Sequence, residues 1–207
     1  MKNIDDLTQL LSRFPGIGKR QAQRMVYFLL EKGPRYTQTL VEGLNALHTH
    51  SKQCVESYQY FYSENNETRA PIARDPSRDR TSIMVVEKDS DLESIEKSGA
   101  YRGTYFVLGG LLPVIEGTAP SGVRDAELLA EITRRAKEEN LKEVIFGLSL
   151  NPESEHTRIT LSRQLQPIAK EHQFTLSQLG RGLSTGTELE YSDQDTIASA
   201  LASRTTQ

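Results

Sequence analysis

The chain has a single cysteine, Cys54, among its 207 residues. That excludes an intramolecular disulfide framework and cannot by itself hold a structural zinc ion. Long apolar runs are also missing. No stretch approaches the ~18 apolar residues of a membrane span, and residues 1–11 show no apolar run behind a basic start. A soluble, cytoplasmic protein with no membrane attachment is the expectation. There is no long-period repeat and no low-complexity tract, and no Ser/His/Asp or Cys/His spacing stands out for nucleophilic catalysis.

An excess of positive charge is absent as well. The formal net charge of −3 argues against a protein that coats nucleic acid with its whole surface. The distribution is uneven, however. Residues 1–35 carry Lys2, Arg13, Lys19, Arg20, Arg24, Lys32 and Arg35 against Asp5, Asp6 and Glu31, a local net of +4 that leaves −7 for the remainder. Phosphate attraction is thereby confined to the N-terminal region.

Ile4, Leu7, Leu10, Leu11 and Phe14 recur at helical spacing, as do Ala22, Met25, Val26, Leu29 and Leu30, so two helices flank Pro15-Gly16-Ile17-Gly18. A third helix follows through Leu40, Leu44 and Leu47. Periodicity is then lost from about Ser51 to Arg80, a polar stretch that reads as a loop-rich insert. From Ser82 strands and helices alternate. Strands are expected at Ile83–Val86, Tyr105–Leu108, Val144–Leu150 and Phe174–Leu179. The helices are a short one opened by a Ser90-x-x-Glu93 capping box and ended by Gly99, then Asp125–Glu139, Glu153–His172 and Asp193–Arg204. Such alternation favours a mainly parallel sheet covered by helices, with functional residues at the carboxyl ends of the strands.

Phe14-Pro-Gly-Ile-Gly-Lys-Arg-Gln-Ala-Gln-Arg24 is the most informative stretch. In a helix-hairpin-helix, Gly16 and Gly18 let the backbone turn sharply, so that amides at the start of the second helix face a phosphate with Lys19, Arg20 and Arg24 alongside. Contacts of this kind carry no base information and predict sequence-independent, salt-sensitive DNA binding. The competing account is a plain helical hairpin with a glycine turn. Arg13 reads as a solvated surface charge.

Elsewhere the chemistry is thinner. Glu87 follows an apolar strand and would expose its carboxylate at the sheet edge, where a metal or phosphate site could form, although on its own a strand-ending surface glutamate is the stronger account. Glu153 and Glu155 could add carboxylates, but i,i+2 positions at a helix start do not converge on one point. A strand-end Asp-x-Asp is absent from Gly147-Leu-Ser-Leu-Asn-Pro152. His48, His50 and Cys54 invite a zinc reading, since His50 and Cys54 would share a helical face, but nothing completes the set. Gly180-Arg-Gly-Leu-Ser-Thr-Gly186 lacks the Gly-Lys-Ser/Thr ending of a phosphate loop and reads as a tight turn.

Taken in order, these pieces resemble the RecR family of recombination mediators over essentially the whole chain. The family's helix-hairpin-helix looks like Leu10 to Leu30. Its Toprim domain is similar to Ile83-Met-Val-Val-Glu87, Ile95-Glu-Lys-Ser-Gly-Ala-Tyr-Arg-Gly103 and Tyr105-Phe-Val-Leu-Gly-Gly-Leu-Leu112. Glu153-Ser-Glu-His-Thr157 matches a family pattern, and Arg181-Gly-Leu-Ser-Thr-Gly-Thr-Glu-Leu-Glu190 with Asp193 to Arg204 matches its C-terminal signature. The chain departs from the family at Leu112-Pro113 and, more seriously, at the four-cysteine zinc finger. Cys54 keeps one ligand of the first Cys-x-x-Cys pair, Ser57 replaces the other, and Ala70 and Ala73 stand where the second pair should be. Tetrahedral zinc is implausible with three ligands gone, so no cofactor is expected. Packing by Tyr58, Tyr60, Phe61, Tyr62 and Ile72 would have to hold the segment.

The resemblance implies a multidomain α+β and α/β protein. Its parts would be a helix-hairpin-helix domain (1–50), a degenerate finger (51–80), a Toprim domain with helices on both faces (81–172) and a C-terminal strand and helix serving as an oligomerisation arm (173–207). It implies no enzyme but a clamp-like scaffold in DNA repair, a homodimer or homotetramer ring acting with RecO and in some bacteria RecF to promote RecA loading on single-stranded DNA. Lys19, Arg20 and Arg24 would then meet phosphates, and Glu87, Glu153 and Glu155 would meet a basic partner. The alternative is a magnesium-dependent Toprim-type nuclease or primase-like enzyme using Glu87. A repair glycosylase is a third possibility, but no catalytic Lys and Asp follow the hairpin at the expected spacing.

Overall fold

A computed structural model describes residues 3–114, 122–180 and 194–202. The chain divides into two compact units, Met1–Lys52 with Tyr62–Asn66, and Gln53–Phe61 with Glu67–Gln207. The first unit is helical. Helix α1 spans Ile4–Leu11, with the Asn3 side chain accepting from the Asp6 amide at 3.0 Å and Asp5 and Asp6 favouring the positive end of the helix dipole. Gly16 then takes a φ of 74°, a left-handed conformation that a side chain would strain.

Helix α2 covers Lys19–His50 but is interrupted at Gly33, where φ is 78° and ψ is −178°. The interruption has a covalent cause: Pro34 offers no amide proton and disfavours helical geometry in the residue before it. Two helical stretches result, as the separate periodicities through Leu29 and through Leu44 require.

Residues 51–80 are less irregular than their polarity suggests. They form β1 (Ser51–Gln53), β2 (Tyr60–Tyr62) and the short α3 (Pro71–Arg74), with β1 and β2 making a two-stranded sheet. Because Ser51–Gln53 is extended, His50 and Cys54 share no helical face.

The second unit is built on a four-stranded parallel sheet in the order β4-β3-β5-β6, from β3 (Asp79–Val86), β4 (Gly103–Val107), β5 (Glu143–Gly147) and β6 (Thr175–Gln178). Central β3 is paired on both sides, and its end reads as a continuous apolar run because both faces are covered. Side chains alternate. Ile83, Val85 and Phe106 face a core with Leu128 and Ile132 of α5 (Asp125–Glu138) and Leu161 and Leu165 of α6 (Pro152–His172). Met84, Val86, Tyr105 and Val107 face the opposite way, against Leu92 of α4 (Asp89–Ser98). Helices therefore cover both faces.

Several boundaries differ from the sequence reading, among them the start of β3 at Asp79 and of β4 at Gly103, and two of the differences are set by helix caps. Helix α4 starts before Ser90. Lys88 is its cap residue, and the Lys88 amide donates to the Asp91 carboxylate at 3.3 Å, so Asp91 does what Glu93 was expected to do. Strand β5 stops at Gly147, and the Asn151 side chain caps α6 by accepting from the Ser154 amide at 2.8 Å. Helix α7 is Gln194–Ala202. The Gly180–Gly186 turn and the Arg181–Glu190 signature lie, from Arg181 onward, outside the described residues, as does part of the loop after Leu112-Pro113.

Candidate nucleic-acid interface

In the helical unit, Gly18 is the cap residue of α2 and has no side chain to cap it, so the first-turn amides meet no capping oxygen. The Ala22 amide donates to the Gly18 carbonyl at 2.9 Å, and Ala22 is fully buried, fixing where the helix starts. Lys19, Arg20 and Arg24 are all exposed, and Arg20 and Arg24, four residues apart, share a face. Backbone donors and cations are thereby gathered at one helix end, an arrangement that can hold a phosphate without reading a base. Arg13 is exposed and edges a groove on the same unit.

That groove is otherwise almost wholly apolar, with Thr37 as its other polar lining residue. Leu7, Leu10, Leu11, Phe14, Leu29, Leu40, Val41 and Leu44 line a cavity of 530 Å³. Along α2, Met25, Tyr27, Phe28, Leu30, Tyr36, Leu40, Val41, Leu44 and Leu47 are exposed, whereas only Ala22 and Val26 of that helix are buried. A lone helical unit with so little core and so much open apolar surface is not a self-sufficient domain.

The four positions that the resemblance assigns to a zinc finger sit in the second unit and are buried. Cys54, Ala70 and Ala73 cluster with Phe61, all nearly inaccessible to solvent. Ser57 is buried beside them. Its amide donates to the Cys54 sulfur at 3.5 Å and its hydroxyl to the Gln59 side chain at 3.3 Å. One thiol, one engaged hydroxyl and two methyl groups are not a donor set for zinc, which takes thiolates and imidazoles. Of the aromatics expected to replace it, only Phe61 enters the cluster. Strand alternation turns Tyr60 and Tyr62 outward, and both are about three-fifths exposed. Tyr58 instead packs on Phe106 with ring centroids 5.2 Å apart and planes tilted by 55°, under the Arg124 guanidinium at 5.3 Å, while Ile72 packs against the Met84 cluster.

The acidic residues of the sheet edge do not form a metal centre. Glu87 is half-buried after β3, Glu153 is exposed, and Glu155 is ion-paired to Arg158 at 2.5 Å. Where a strand-end carboxylate pair would be needed, Asn151 is a neutral amide engaged as a helix cap. Among the described residues no three His, Cys, Asp or Glu side chains converge.

Sequence spacing gave no warning of a charged network beside the finger. Arg80 donates twice to Glu139, both at 2.9 Å, across 59 positions of sequence. Arg134 adds a hydrogen bond to Glu139 at 2.7 Å and reaches Glu131 at 2.8 Å. Burial pushes the Glu139 carboxyl up, but the hydrogen bonds from Arg80 and Arg134 outweigh it and hold the group down to about 2. Glu56, in the finger, lies 2.9 Å from Arg69, 3.5 Å from Arg80 and 3.9 Å from Arg135.

A helical hairpin unit followed by a parallel-sheet unit defines a two-part protein, and comparison with known proteins finds a family match within each part. A family profile described as "RecR, helix-hairpin-helix" matches residues 4–48, and a Toprim domain profile matches residues 81–179. Similar relatives include Recombination protein RecR of Amoebophilus asiaticus, 34% identical over 203 residues covering 98% of this chain and 96% of that protein. Those of Chloroflexus aggregans and Treponema pallidum are 36% and 35% identical, covering 96% and 97% of this chain and 91% and 94% of theirs. The chain belongs to the RecR family of recombination proteins, which supports a role in recombination repair.

Proposed function

We propose that this protein is a DNA-binding recombination mediator, a cytoplasmic clamp-like scaffold that performs no turnover chemistry. The observation that carries this reading is the uncapped, basic start of α2, where Gly16, Gly18, Lys19, Arg20 and Arg24 bring backbone donors and cations to one helix end in a chain that is otherwise acidic. Single- or double-stranded DNA is held there by its phosphates, without sequence preference.

The apolar face of α2 is covered by a second copy of the chain, giving a dimer or tetramer ring to which residues 173–207 contribute an arm. Ring closure raises the effective concentration of each hairpin at the DNA, so that individually weak phosphate contacts act together. Glu87, Glu153 and Glu155 present an acidic sheet edge to a basic partner, RecO and in some bacteria RecF, and the assembly promotes RecA loading on single-stranded DNA.

The test compares wild type with a Lys19→Glu, Arg24→Glu variant, both substitutions lying on exposed positions. Fluorescence anisotropy with a labelled oligonucleotide at low salt should register a loss of binding of at least tenfold, with an unchanged unfolding transition, and RecA filament formation on coated single strands should fall in parallel. Equal DNA affinity for the two proteins would refute the assignment of the hairpin.

A further inference from the structure

We infer that Glu56 cross-links the two halves of the finger in place of a metal and fastens them to the Toprim body. The resemblance implies a finger of two Cys-x-x-Cys turns joined through a shared ion. Here the first turn is Cys54-Val-Glu-Ser57 and the second is Ala70-Pro-Ile-Ala73, and the zinc donors are gone. The turns are nevertheless intact. The Tyr58 amide donates to the Cys54 carbonyl at 2.9 Å, and the Arg74 amide to the Ala70 carbonyl at 3.1 Å.

Glu56 lies inside the first turn and Arg69 immediately precedes the second. The Arg69 guanidinium makes one hydrogen bond to the Glu56 carboxylate, Nη2 donating to Oε2 at 3.1 Å, while Nε lies 2.9 Å from Oε1 as a charge contact without hydrogen-bond geometry. The same Nη2 donates to the Ala73 carbonyl at 2.7 Å. One arginine thus ties the first turn to the far end of the second, as a shared metal ion would. The guanidinium reaches the carboxylate of one turn and the carbonyl of the other from one nitrogen, a directional tie that the point charge of a lysine would not reproduce.

Two further arginines carry the link into the sheet domain. Arg80 of β3 also donates to the Ala73 carbonyl, at 3.3 Å, and its contact with Glu56 is continued by the paired hydrogen bonds to Glu139. Arg135 of α5 is 1% exposed and faces both Glu56 and Glu131. The Glu56 side chain is 18% exposed, so this is a largely desolvated hub rather than a surface pair. An apolar cluster of Cys54, Phe61, Ala70 and Ala73 fills the space between the turns, and the hub supplies the directionality that packing alone does not.

The finger of this chain is therefore metal-independent and charge-dependent. The test follows backbone amide hydrogen exchange in the full chain, with and without excess EDTA, for wild type, Glu56→Gln and Arg69→Gln. In wild type, EDTA should leave the protection of Cys54, Val55, Tyr58 and Arg74 unchanged. Either substitution should speed exchange at those four amides by about tenfold or more, while β3 and β5 amides keep their protection. If Glu56→Gln does not fold, Arg69→Gln decides, because it removes only the link between the turns and leaves Glu56 facing Arg80 and Arg135. Loosening of the wild-type finger by EDTA, or finger exchange unchanged by Arg69→Gln, would overturn the inference.

Discussion

Arg135 donates from Nη1 to Oγ1 of Thr104 at 2.6 Å, joining α5 to strand β4 inside the Toprim domain with only 1% of its surface exposed. A guanidinium so deeply placed must keep its counter-charge, because an uncompensated buried ion costs far more than a paired one. Its close anion is Glu131, one helical turn earlier, which accepts from Nε at 2.7 Å. Glu131→Gln should therefore lower the unfolding free energy by about 3–5 kcal/mol, read as an earlier urea midpoint with an unchanged slope. Arg135→Met, which removes the charge and keeps the volume, should cost clearly less. Equal losses in the two variants would show that the arginine acts by packing alone.

Salt dependence examines the hairpin independently of affinity. If Lys19 and Arg24 each neutralise one phosphate, replacing both with glutamine should reduce the slope of log affinity against log salt by about 1.4 on single strands, at ~0.7 per contact. The change should be the same for oligonucleotides of different sequence, since the contacts read the backbone. Titrations at four salt concentrations on two unrelated sequences measure both quantities.

The hairpin could be read in advance because its signal is local: Gly16, Gly18 and the basic residues lie within one short stretch, and a turn needs nothing further to specify it. The parallel sheet was legible for a related reason, since the buried run Ile83–Val86 announces a strand covered on both faces. The Arg80–Glu139 pair was not legible. Its members are 59 positions apart and meet only because β3 and the end of α5 are brought together by the sheet. Glu56 was hidden differently: it sits between Cys54 and Ser57, and nothing in that local spacing indicates the three arginines, Arg69, Arg80 and Arg135, that the fold brings to it. The cap of α4 reflects a finer limit, because Lys88-x-x-Asp91 and Ser90-x-x-Glu93 offer competing registers two residues apart, and the register adopted is the one in which Leu92 packs with Met84 and Val86.

Acid should loosen the network in a defined direction. The Glu139 carboxyl is held at about 2 against an ordinary value of 4.5, so its folded-state value is depressed. Its contribution is present above the unfolded value and is lost as pH falls through the folded one. Stability, measured by urea midpoints, should decline between pH 4.5 and 2 more steeply in wild type than in Glu139→Gln. At neutral pH the same substitution should be destabilising, since Arg80 and Arg134 lose their shared anion. A parallel decline in the two proteins would remove Glu139 from the acid transition.

The apolar face of α2 makes the last prediction. Leu40 and Leu44 are four residues apart, so they lie on one side of the helix, and both are exposed while lining the 530 Å³ groove. If a second copy fills that groove, Leu44→Glu places a charge in an apolar contact and leaves it without a partner. Light scattering coupled to size exclusion should then show the assembly falling toward the monomer over micromolar concentrations, with DNA affinity falling along with it because the hairpins no longer act jointly. Within the isolated chain the substitution should be tolerated, since position 44 is half-exposed and glutamate is a good helix former. An unchanged mass for Leu44→Glu would mean that the groove is not the contact between copies, while leaving the phosphate-binding end of α2 untouched.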